Sequence, residues 1–318
     1  MHGNGAYREA VAGPSYRPML AVAAPLPSGD GWSYEFKWDG VRAVAEIVGD
    51  RLRLFARSGA EITVAYPELA GLAAAVPGDV VLDGEIAVLG PTGTSFEALA
   101  ERMHVRDARR AARLAARHPV TYLVFDLLRA GDVDECDRPY ATRRADLAEL
   151  VPEGPHWTVS PVFADGAATW AAAEENGLEG VVAKRTDSPY LPGRRSPDWV
   201  KVKRVVTDDL VVGGYRPGVR ELGALLVGEY DEHGRLAYRG RVGGGISAHQ
   251  HRELLDLLDP LRRPTSPFAE PVPREDARGA TWVEPMVVVE VAYGNRTSDG
   301  RLRFPRLRRI RTDKLVER

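Results

Sequence analysis

The amino-acid sequence predicts an α+β domain followed by a smaller β-rich domain with the strand spacing of an OB-type barrel. The first observation is length: 318 residues exceed the roughly 100–200 residues of one domain, so two domains are expected. The second is that helix and strand patterns mix irregularly up to residue 204, whereas short strands separated by tight turns dominate beyond it. We therefore predict a flexible N-terminal arm at 1–14, a first domain at 15–204 and a second at 205–318.

Alternating apolar residues and helical periodicity define the elements of the first domain. The strands are predicted at residues 34–37, 41–48, 51–55, 80–89 and 121–128. The helices are predicted at residues 67–75, 95–117, 141–150 and 167–176. Gly177 ends the last helix, because glycine readily takes the left-handed conformation that closes a helix. Strands and helices in this irregular order favour an α+β fold over a doubly wound sheet.

The second domain is predicted to contain short strands around a single helix. The strands are expected at 210–215, 224–230, 236–242 and 286–293, and the helix at 247–258. Ser247 supplies the helix N-cap, a position that favours serine. About five strands around one helix is the pattern of an OB barrel, although a β-sandwich would show similar spacing. Thr207, Asp208 and Asp209 interrupt the strand pattern close to the predicted boundary between the domains.

Composition and charge narrow the functional classes. The chain is 44% hydrophobic and 28% charged, as ordinary globular proteins are. Its single cysteine, Cys136, excludes an intramolecular disulfide and a thiolate zinc site. No apolar run approaches the ~20 residues of a membrane span, and the N-terminus lacks a signal-peptide pattern, so a cytoplasmic location is expected. We also expect a monomer. The charge is uneven: residues 1–203 carry 23 basic and 28 acidic side chains, whereas residues 204–318 carry 20 and 17.

Several strand segments carry charged residues that solvent exposure alone explains poorly. Glu85 stands inside an apolar strand, where an unpaired carboxylate costs several kcal/mol unless it faces water at an edge. Lys201 and Lys203 share one face of an alternating strand, so they repel each other unless an anion lies between them. Taken alone, Lys37 at a strand end is typical of a solvated lysine, and Phe125 is typical of a core.

The order of these segments along the chain carries more information than any one of them. The motif residues are Lys37, Asp39, Gly40 and Arg42; Arg57, Ser58 and Gly59; Asp83, Gly84 and Glu85; Phe125; Glu179, Gly180 and Lys184; Lys201 and Lys203; and Arg309, Arg311, Asp313 and Lys314. This ordered set resembles the covalent nucleotidyltransferase superfamily, which contains ATP-dependent DNA ligases, RNA ligases and mRNA capping enzymes. The first and last motifs resemble the DNA ligase branch, in particular its small stand-alone bacterial type. The resemblance implies a nucleotidyltransferase (ATP-grasp-like) adenylation domain followed by an OB-fold β-barrel.

The resemblance also implies catalytic roles for five residues. Lys37 would attack the α-phosphate of ATP, form a phosphoramidate with AMP and release pyrophosphate. Its amine must be neutral to attack, and nearby positive charge favours that form. Lys201 and Lys203 would hold the α-phosphate and neutralise charge that develops in the transition state. Asp313 and Lys314, on the second domain, would orient the pyrophosphate leaving group.

Further motif residues would bind the nucleotide and a divalent cation. The residues expected around ATP are Glu35, Arg42, Arg57, Glu85, Phe125, Lys184, Lys201 and Lys203. Phe125 would stack on adenine, Glu35 would help to read the purine, and the two arginines would hold the ribose or the incoming phosphate. Glu85 and Glu179 would be carboxylate ligands of Mg²⁺, with Mn²⁺ as the alternative, because both ions accept oxygen donors.

Two groups of arginines are candidates for contact with nucleic acid. The first follows helical spacing and is expected on one face of the helix at 95–117, although such a face is more often simply solvated. Its members are Arg102, Arg106, Arg109, Arg113 and Arg117. The second lies near the C-terminus and comprises Arg301, Arg303, Arg306, Arg308, Arg309 and Arg311. Arginine–phosphate contacts bind duplex DNA without reading its sequence, which is what sealing a nick requires.

The expected partner is nicked double-stranded DNA, with recruitment by repair proteins that the sequence does not name.

Two other classes of function stay open. An RNA ligase or a capping enzyme would use the same lysine, and a capping enzyme would prefer GTP to ATP. A nucleic-acid-binding protein without catalysis would lack a core motif residue, whereas Lys37, Glu85, Glu179, Lys201 and Lys203 are all present.

Overall fold

Two β-sheets that share an apolar core form the frame of the first part of the chain. The structure, a computed structural model, describes residues 14–90, 93–218, 222–297, 299–314 and 316, so the predicted N-terminal arm lies outside the described residues except for Pro14. The chain divides into two compact units, Met1–Arg204 and Val205–Arg318. Within the part of the chain that is described, no helix is both long and apolar enough to cross a membrane.

The first unit combines two large sheets with short helices. Its strands are β1 (Leu20–Ala23), β2 (Trp32–Phe36), β3 (Val41–Val48), β4 (Arg51–Ala56), β5 (Val80–Ala87), β6 (Leu89–Gly90), β7 (Gly93–Thr94), β8 (Thr121–Ala130), β9 (Val133–Asp134), β10 (Trp157–Val159), β11 (Val162–Phe163), β12 (Gly180–Arg185) and β13 (Arg195–Lys203). Its helices are α1 (Leu72–Ala75), α2 (Phe96–Ala100), α3 (Ala108–Arg117), α4 (Tyr140–Leu150) and α5 (Gly166–Glu175), with 3₁₀ turns at Thr63–Ala65 and Pro67–Gly71. The first sheet has the order β1-β13-β12-β2-β11, and the second has the order β10-β8-β5-β3-β4 with β9 beside β8.

The second sheet is buried on both faces, which explains the near-continuous apolar sequence of its strands. On β3, Ala43 and Ile47 point into the core that the helices cover. Val44, between them, points to the opposite face and packs in a second core with Phe125 of β8 and Trp199 of the first sheet. The two sheets therefore meet across this second core.

The second unit is a curled sheet with one main helix. Its strands are β14 (Val206–Arg216), β15 (Ala224–Tyr230), β16 (Leu236–Val242), β17 (Arg262–Arg263), β18 (Thr281–Tyr293) and β19 (Arg306–Ile310). Its helices are α6 (Ala248–Leu258) and α7 (Arg274–Ala277), with a 3₁₀ turn at Asp259–Leu261. The strand order is β16-β15-β14-β18, and β17 and β19 both pair with β18.

The ends of this sheet meet and close a barrel. Gly244, just beyond β16, forms a parallel bridge with Arg306 of β19, so β14, β15, β16, β19 and β18 form a ring. The main helix follows the third strand of the ring, and Ser247 and Gln250 form a capping box at its start. The predicted OB-type barrel is confirmed, and the β-sandwich alternative is excluded.

Two local predictions are wrong. The helix expected at 95–117 is two helices, α2 and α3, because Asp107 caps a new helix through its bond to the Arg110 amide. Arg102 falls between them, fully buried, so it does not share an exposed face with the later arginines. The residues expected to interrupt the strands, 207–209, lie inside β14 and pair with β18.

Candidate active site

A cleft of about 540 Å³ opens between the two sheets of the first unit. The predicted residues that line it are Glu35, Lys37, Arg42, Arg57, Glu85, Phe125, Lys184 and Lys201. Glu179 reaches the same site by pairing with Lys37, and Lys203 reaches it by pairing with Glu179. Asp313 and Lys314 lie in the second unit.

Lys37 follows directly after β2 and is held by its backbone and its side chain. Its amide donates a 2.9 Å hydrogen bond to the carbonyl of Gly180, at the start of β12. Its ammonium group pairs with the carboxylate of Glu179, which also forms an ion pair with Lys203. Burial would raise the pKa of Glu179, but the two lysines lower it below its ordinary value. An ionised carboxylate therefore holds the Lys37 ammonium group at the rim of the cleft.

The turn after Lys37 needs glycine at position 40. A Cβ atom there would lie 2.3 Å from the carbonyl oxygen of Ile86 and 3.0 Å from the Glu85 side chain. This close approach of turn and strand places Glu85 of β5 beside the turn that follows Lys37. Arg42 of β3 lies opposite Glu85 in the strand register. The Lys-x-Asp-Gly spacing thus has a packing reason as well as a chemical one.

Arg42 is fixed by a buried ion pair and lies close to two aromatic rings. Its guanidinium group binds Asp83 twice, at 2.6 and 2.5 Å, and Asp83 also accepts a 2.5 Å bond from the Tyr190 hydroxyl. The same guanidinium group lies 4.6 Å from the centroid of the Phe125 ring and 5.7 Å from that of Trp199. Asp83 is fully buried, so this ion pair orients Arg42 rigidly toward the cleft.

The carboxyl group of Glu85 has a pKa close to neutral pH. Burial raises its pKa to about 7, and the nearby charges of Arg42 and Lys37 offset only part of that rise. A cation entering the cleft would favour the ionised form. Among the described residues, no group of three or more His, Cys, Asp or Glu side chains forms a preassembled metal cage. Two carboxylates, Glu85 and Glu179, nevertheless fit an ion such as Mg²⁺, which takes one or two protein carboxylates and keeps phosphate and water ligands.

The inner end of the cleft carries a buried ion pair between two rings. The Lys184 ammonium nitrogen lies 2.7 Å from Glu35 Oε1 and within 4.3 Å of the centroids of Phe125 and Trp199. Burial lowers the pKa of Lys184, and the Glu35 carboxylate opposes that shift. The hydroxyl of Tyr140, at the start of α4, donates a 2.5 Å bond to the same Glu35 oxygen. No local sequence signal points to Tyr140, because it comes from a segment 105 positions away.

Positive charge converges at the mouth of the cleft around Lys201. The predicted alternation of β13 is confirmed: Val200 packs in an apolar core on one face, while Lys201 lines the cleft on the other. Burial lowers the pKa of Lys201, and Arg195, Lys203, Lys37 and Arg57 lower it further. Such a cluster is suited to an anion. The same alternation could have identified Trp199, which lies two residues before Lys201 and also lines the cleft.

Comparison with known proteins agrees with this arrangement. The family model for the ATP dependent DNA ligase domain matches residues 18–203, and the model for the ATP dependent DNA ligase C terminal region matches residues 219–314. The chain belongs to the ATP-dependent DNA ligase family. All five lysines of the chain stand in the segments that carry the predicted motifs, whereas the other 38 of its 43 basic residues are arginines.

Two curated relatives and one solved structure illustrate the similarity. The multifunctional non-homologous end joining DNA repair protein LigD of Mycobacterium tuberculosis is 39% identical over 306 residues, which are 93% of this chain and 38% of the relative. The chain thus spans about two fifths of LigD. DNA ligase C1 of Mycolicibacterium smegmatis is 37% identical over 297 residues, covering 88% of this chain and 84% of the relative. The structure of a mycobacterial DNA ligase D complexed with ATP and MES is 37% identical, with a TM-score of 0.54 over 94% of this chain and 96% of that one.

The arginines proposed from sequence fall into different structural classes. Arg106, Arg109, Arg113 and Arg117 are exposed, and within the described residues their side chains form no ion pair. Arg102 is instead fully buried against Glu68 and the carbonyl oxygens of neighbouring turns, so the prediction of an exposed contact is wrong for this residue.

The C-terminal arginines differ in their ion-pair partners. Arg306 and Arg309 are both exposed, and Arg309 pairs with Glu290 at 2.8 Å. Arg311 binds both oxygens of Asp209 at 2.9 Å and also pairs with Asp313, and its side chain is 11% exposed. Lys314 reaches the same Asp209 at 2.5 Å. Asp209 therefore ties down the final motif within the second unit.

Proposed function

We propose that this protein is an ATP-dependent DNA ligase that seals nicks between a 3′-hydroxyl and a 5′-phosphate in duplex DNA. The observation that carries the proposal is the position of Lys37. It stands at the rim of a cleft whose inner end carries the Glu35–Lys184 pair and whose mouth carries converging positive charge. A purine ring fits the first environment and a phosphate chain fits the second.

In the first step, the Lys37 nitrogen would form a bond to the α-phosphorus of ATP while the bond to the bridging oxygen breaks and pyrophosphate leaves. Lys201 and Lys203 would neutralise charge that develops on the phosphate oxygens. Glu179 holds the Lys37 ammonium group beforehand, so that contact must break and the ammonium group must lose a proton before the neutral amine attacks. AMP would then pass from Lys37 to the 5′-phosphate of the nick, and attack by the 3′-hydroxyl would release AMP and join the strands.

We propose that Glu85 and Glu179 hold Mg²⁺, with Mn²⁺ as a substitute. When bound, such an ion supplies charge neutralisation to the phosphate oxygens. The support lies in the donor set, two carboxylates on adjacent sides of the Lys37 loop, one of which is only partly ionised near neutral pH. Arg42 and Arg57 would hold the sugar or the incoming phosphate, and Phe125 would stack on adenine.

The second unit would complete the first step. Asp313 and Lys314 would orient the pyrophosphate, with a hinge near the boundary between Arg204 and Val205.

We propose that duplex DNA contacts the exposed arginines Arg106, Arg109 and Arg113 of the first unit and Arg306 of the second, since arginine–phosphate contacts do not depend on DNA sequence. The name of the LigD relative supports a role in DNA repair, alongside repair proteins. We further propose that the protein is cytoplasmic, because its lone cysteine fits a reducing compartment, and that it acts as a monomer.

Nick sealing on matched substrates tests this proposal. The purified protein would be incubated with ATP, Mg²⁺ and a labelled duplex that carries one nick, in all-DNA and all-RNA forms. We expect a full-length DNA strand and a transient adenylated DNA strand, both dependent on ATP and both absent with Lys37→Ala. Sealing of the RNA duplex in preference to DNA, or sealing without ATP, would contradict it.

A further inference from the structure

A buried serine connects the two sheets that form the cleft. Ser160 lies in the short link between β10, at the edge of the second sheet, and β11, at the edge of the first. It is completely buried, and its carbonyl oxygen accepts a hydrogen bond from the guanidinium group of Arg144 on α4. A buried polar side chain is costly unless it is hydrogen-bonded, so the partner of the Ser160 hydroxyl group indicates what that group holds.

Ser160 forms hydrogen bonds to both sides of the cleft. Its amide donates a 2.7 Å bond to the carbonyl oxygen of Val124, the residue before Phe125 on β8. Its hydroxyl oxygen accepts a 2.9 Å bond from the indole N–H of Trp38, the residue after Lys37. The backbone of Ser160 is therefore fixed to the sheet that carries Phe125, and its side chain is fixed to the turn that carries Lys37.

The turn that carries Lys37 is held by contacts of two kinds. Its two ends are held by backbone packing, through the amide hydrogen bond of Lys37 and the close approach of Gly40 to β5. Trp38, between them, is held by its side chain, and its ring packs edge-on against that of Phe36 with centroids 5.7 Å apart and planes at 81°. Of these contacts, the indole bond to Ser160 is the one that exchanging a single hydroxyl group for hydrogen removes.

We propose that Ser160 is a positioning residue for the attack by Lys37. Its hydroxyl group fixes Trp38 and so aligns the lysine with the α-phosphate of a nucleotide whose base lies beside Phe125. Trp38 lines the cleft, whereas Ser160 is not among the described residues that line it, so Ser160 acts through Trp38. The proposal rests on the proposed function and adds a residue to its first step.

This role has a specific kinetic consequence. Attack requires the reacting atoms to be close and in line, so a small misplacement lowers the rate of the chemical step. The groups that would bind the nucleotide stay in place when the Ser160 hydroxyl group is lost, so the affinity for ATP should hardly change. A serine that only stabilised the link between the sheets would lower the stability of the protein without lowering the rate at saturating ATP.

Three substitutions separate these roles. Ser160→Ala removes the hydroxyl group and leaves the backbone hydrogen bonds of the link, and Trp38→Phe removes the indole N–H but keeps an aromatic ring against Phe36. Ser188→Ala is the matched control, because Ser188 is another buried serine of the same unit. Its hydroxyl group donates a 2.8 Å bond to the carbonyl of Arg185, within its own turn.

Single-turnover formation of lysyl-AMP would be measured over a range of ATP concentrations, without DNA. We expect Ser160→Ala and Trp38→Phe each to lower the maximal rate about tenfold, with half-saturation within about twofold of the wild-type ATP concentration. The double variant should be no slower than the slower single variant, because both substitutions remove the same bond. Ser188→Ala should keep the wild-type rate, although thermal unfolding should show a loss of stability similar to that of Ser160→Ala.

A wild-type maximal rate in Ser160→Ala would overturn the inference. So would a higher ATP concentration at half-saturation with an unchanged maximal rate, multiplied losses in the double variant, or an equal loss of rate in Ser188→Ala. Absence of lysyl-AMP in the wild type would overturn the proposed function and the inference together. Wild-type labelling with an unaltered rate in Ser160→Ala would overturn the positioning role alone.

Discussion

The ammonium group of Lys184 lies 2.7 Å from the carboxylate of Glu35, and both side chains are almost fully buried. Two aromatic rings flank the lysine, and the Tyr140 hydroxyl binds the carboxylate, so the inner wall of the cleft presents a fixed polar pair inside an apolar frame. A pair of this kind can read the edge of a base only while both partners stay in place.

Removing the lysine should therefore cost both stability and nucleotide affinity. In Lys184→Met the side chain keeps its length but leaves Glu35 unpaired, so the free energy of unfolding should fall by about 3 kcal/mol. Tyr140→Phe leaves the ion pair intact and should lose less, about 1.5 kcal/mol. Urea denaturation measures both values, and the KM for ATP should rise more in the methionine variant. Equal stability of Lys184→Met and the wild type would show that the pair is not formed.

Arg102 and Arg109 are predicted to behave in opposite ways although sequence spacing groups them. Arg102 is buried against Glu68, so Arg102→Ala should lower the free energy of unfolding by about 3–5 kcal/mol. Arg109 is exposed, so Arg109→Ala should change stability by less than about 0.5 kcal/mol. The second variant should instead weaken binding to nicked duplex DNA and lower its salt slope by about one. Reversed effects would remove α3 from the proposed DNA surface.

The contrast between these arginines shows what sequence could predict. The helical spacing of the arginines predicts one continuous helix through residue 102, whereas Asp107 caps a new helix that begins at Ala108. The strand alternation that sets Lys201 into the cleft was predictable, because the period of a strand is two. Tyr190, which binds Asp83, and Tyr140, which binds Glu35, were not predictable, because they come from remote segments that only the fold brings near.

The stability of the protein should depend on pH through Glu85. Its folded pKa is about 7, above the ordinary value of 4.5, so the folded state binds the proton more tightly than the unfolded state does. The stabilisation is complete below pH 4.5 and is lost as the pH rises through about 7. Glu85→Gln lacks this loss, so without nucleotide or metal its unfolding free energy should rise relative to the wild type across that window. A constant difference between the two proteins from pH 4.5 to pH 8 would rule out the raised pKa.

The central claim is that Lys37 carries AMP, and covalent labelling tests it most directly. The protein would be stripped of bound AMP with pyrophosphate, incubated with α-labelled ATP or GTP and Mg²⁺, and separated on a denaturing gel. Because the chain has five lysines, peptide mapping assigns the label to one of them without ambiguity. We expect a labelled band with ATP but not GTP, located at Lys37 and absent in Lys37→Ala. A label that persists in Lys37→Ala, that maps to another lysine, or that never forms would contradict the account.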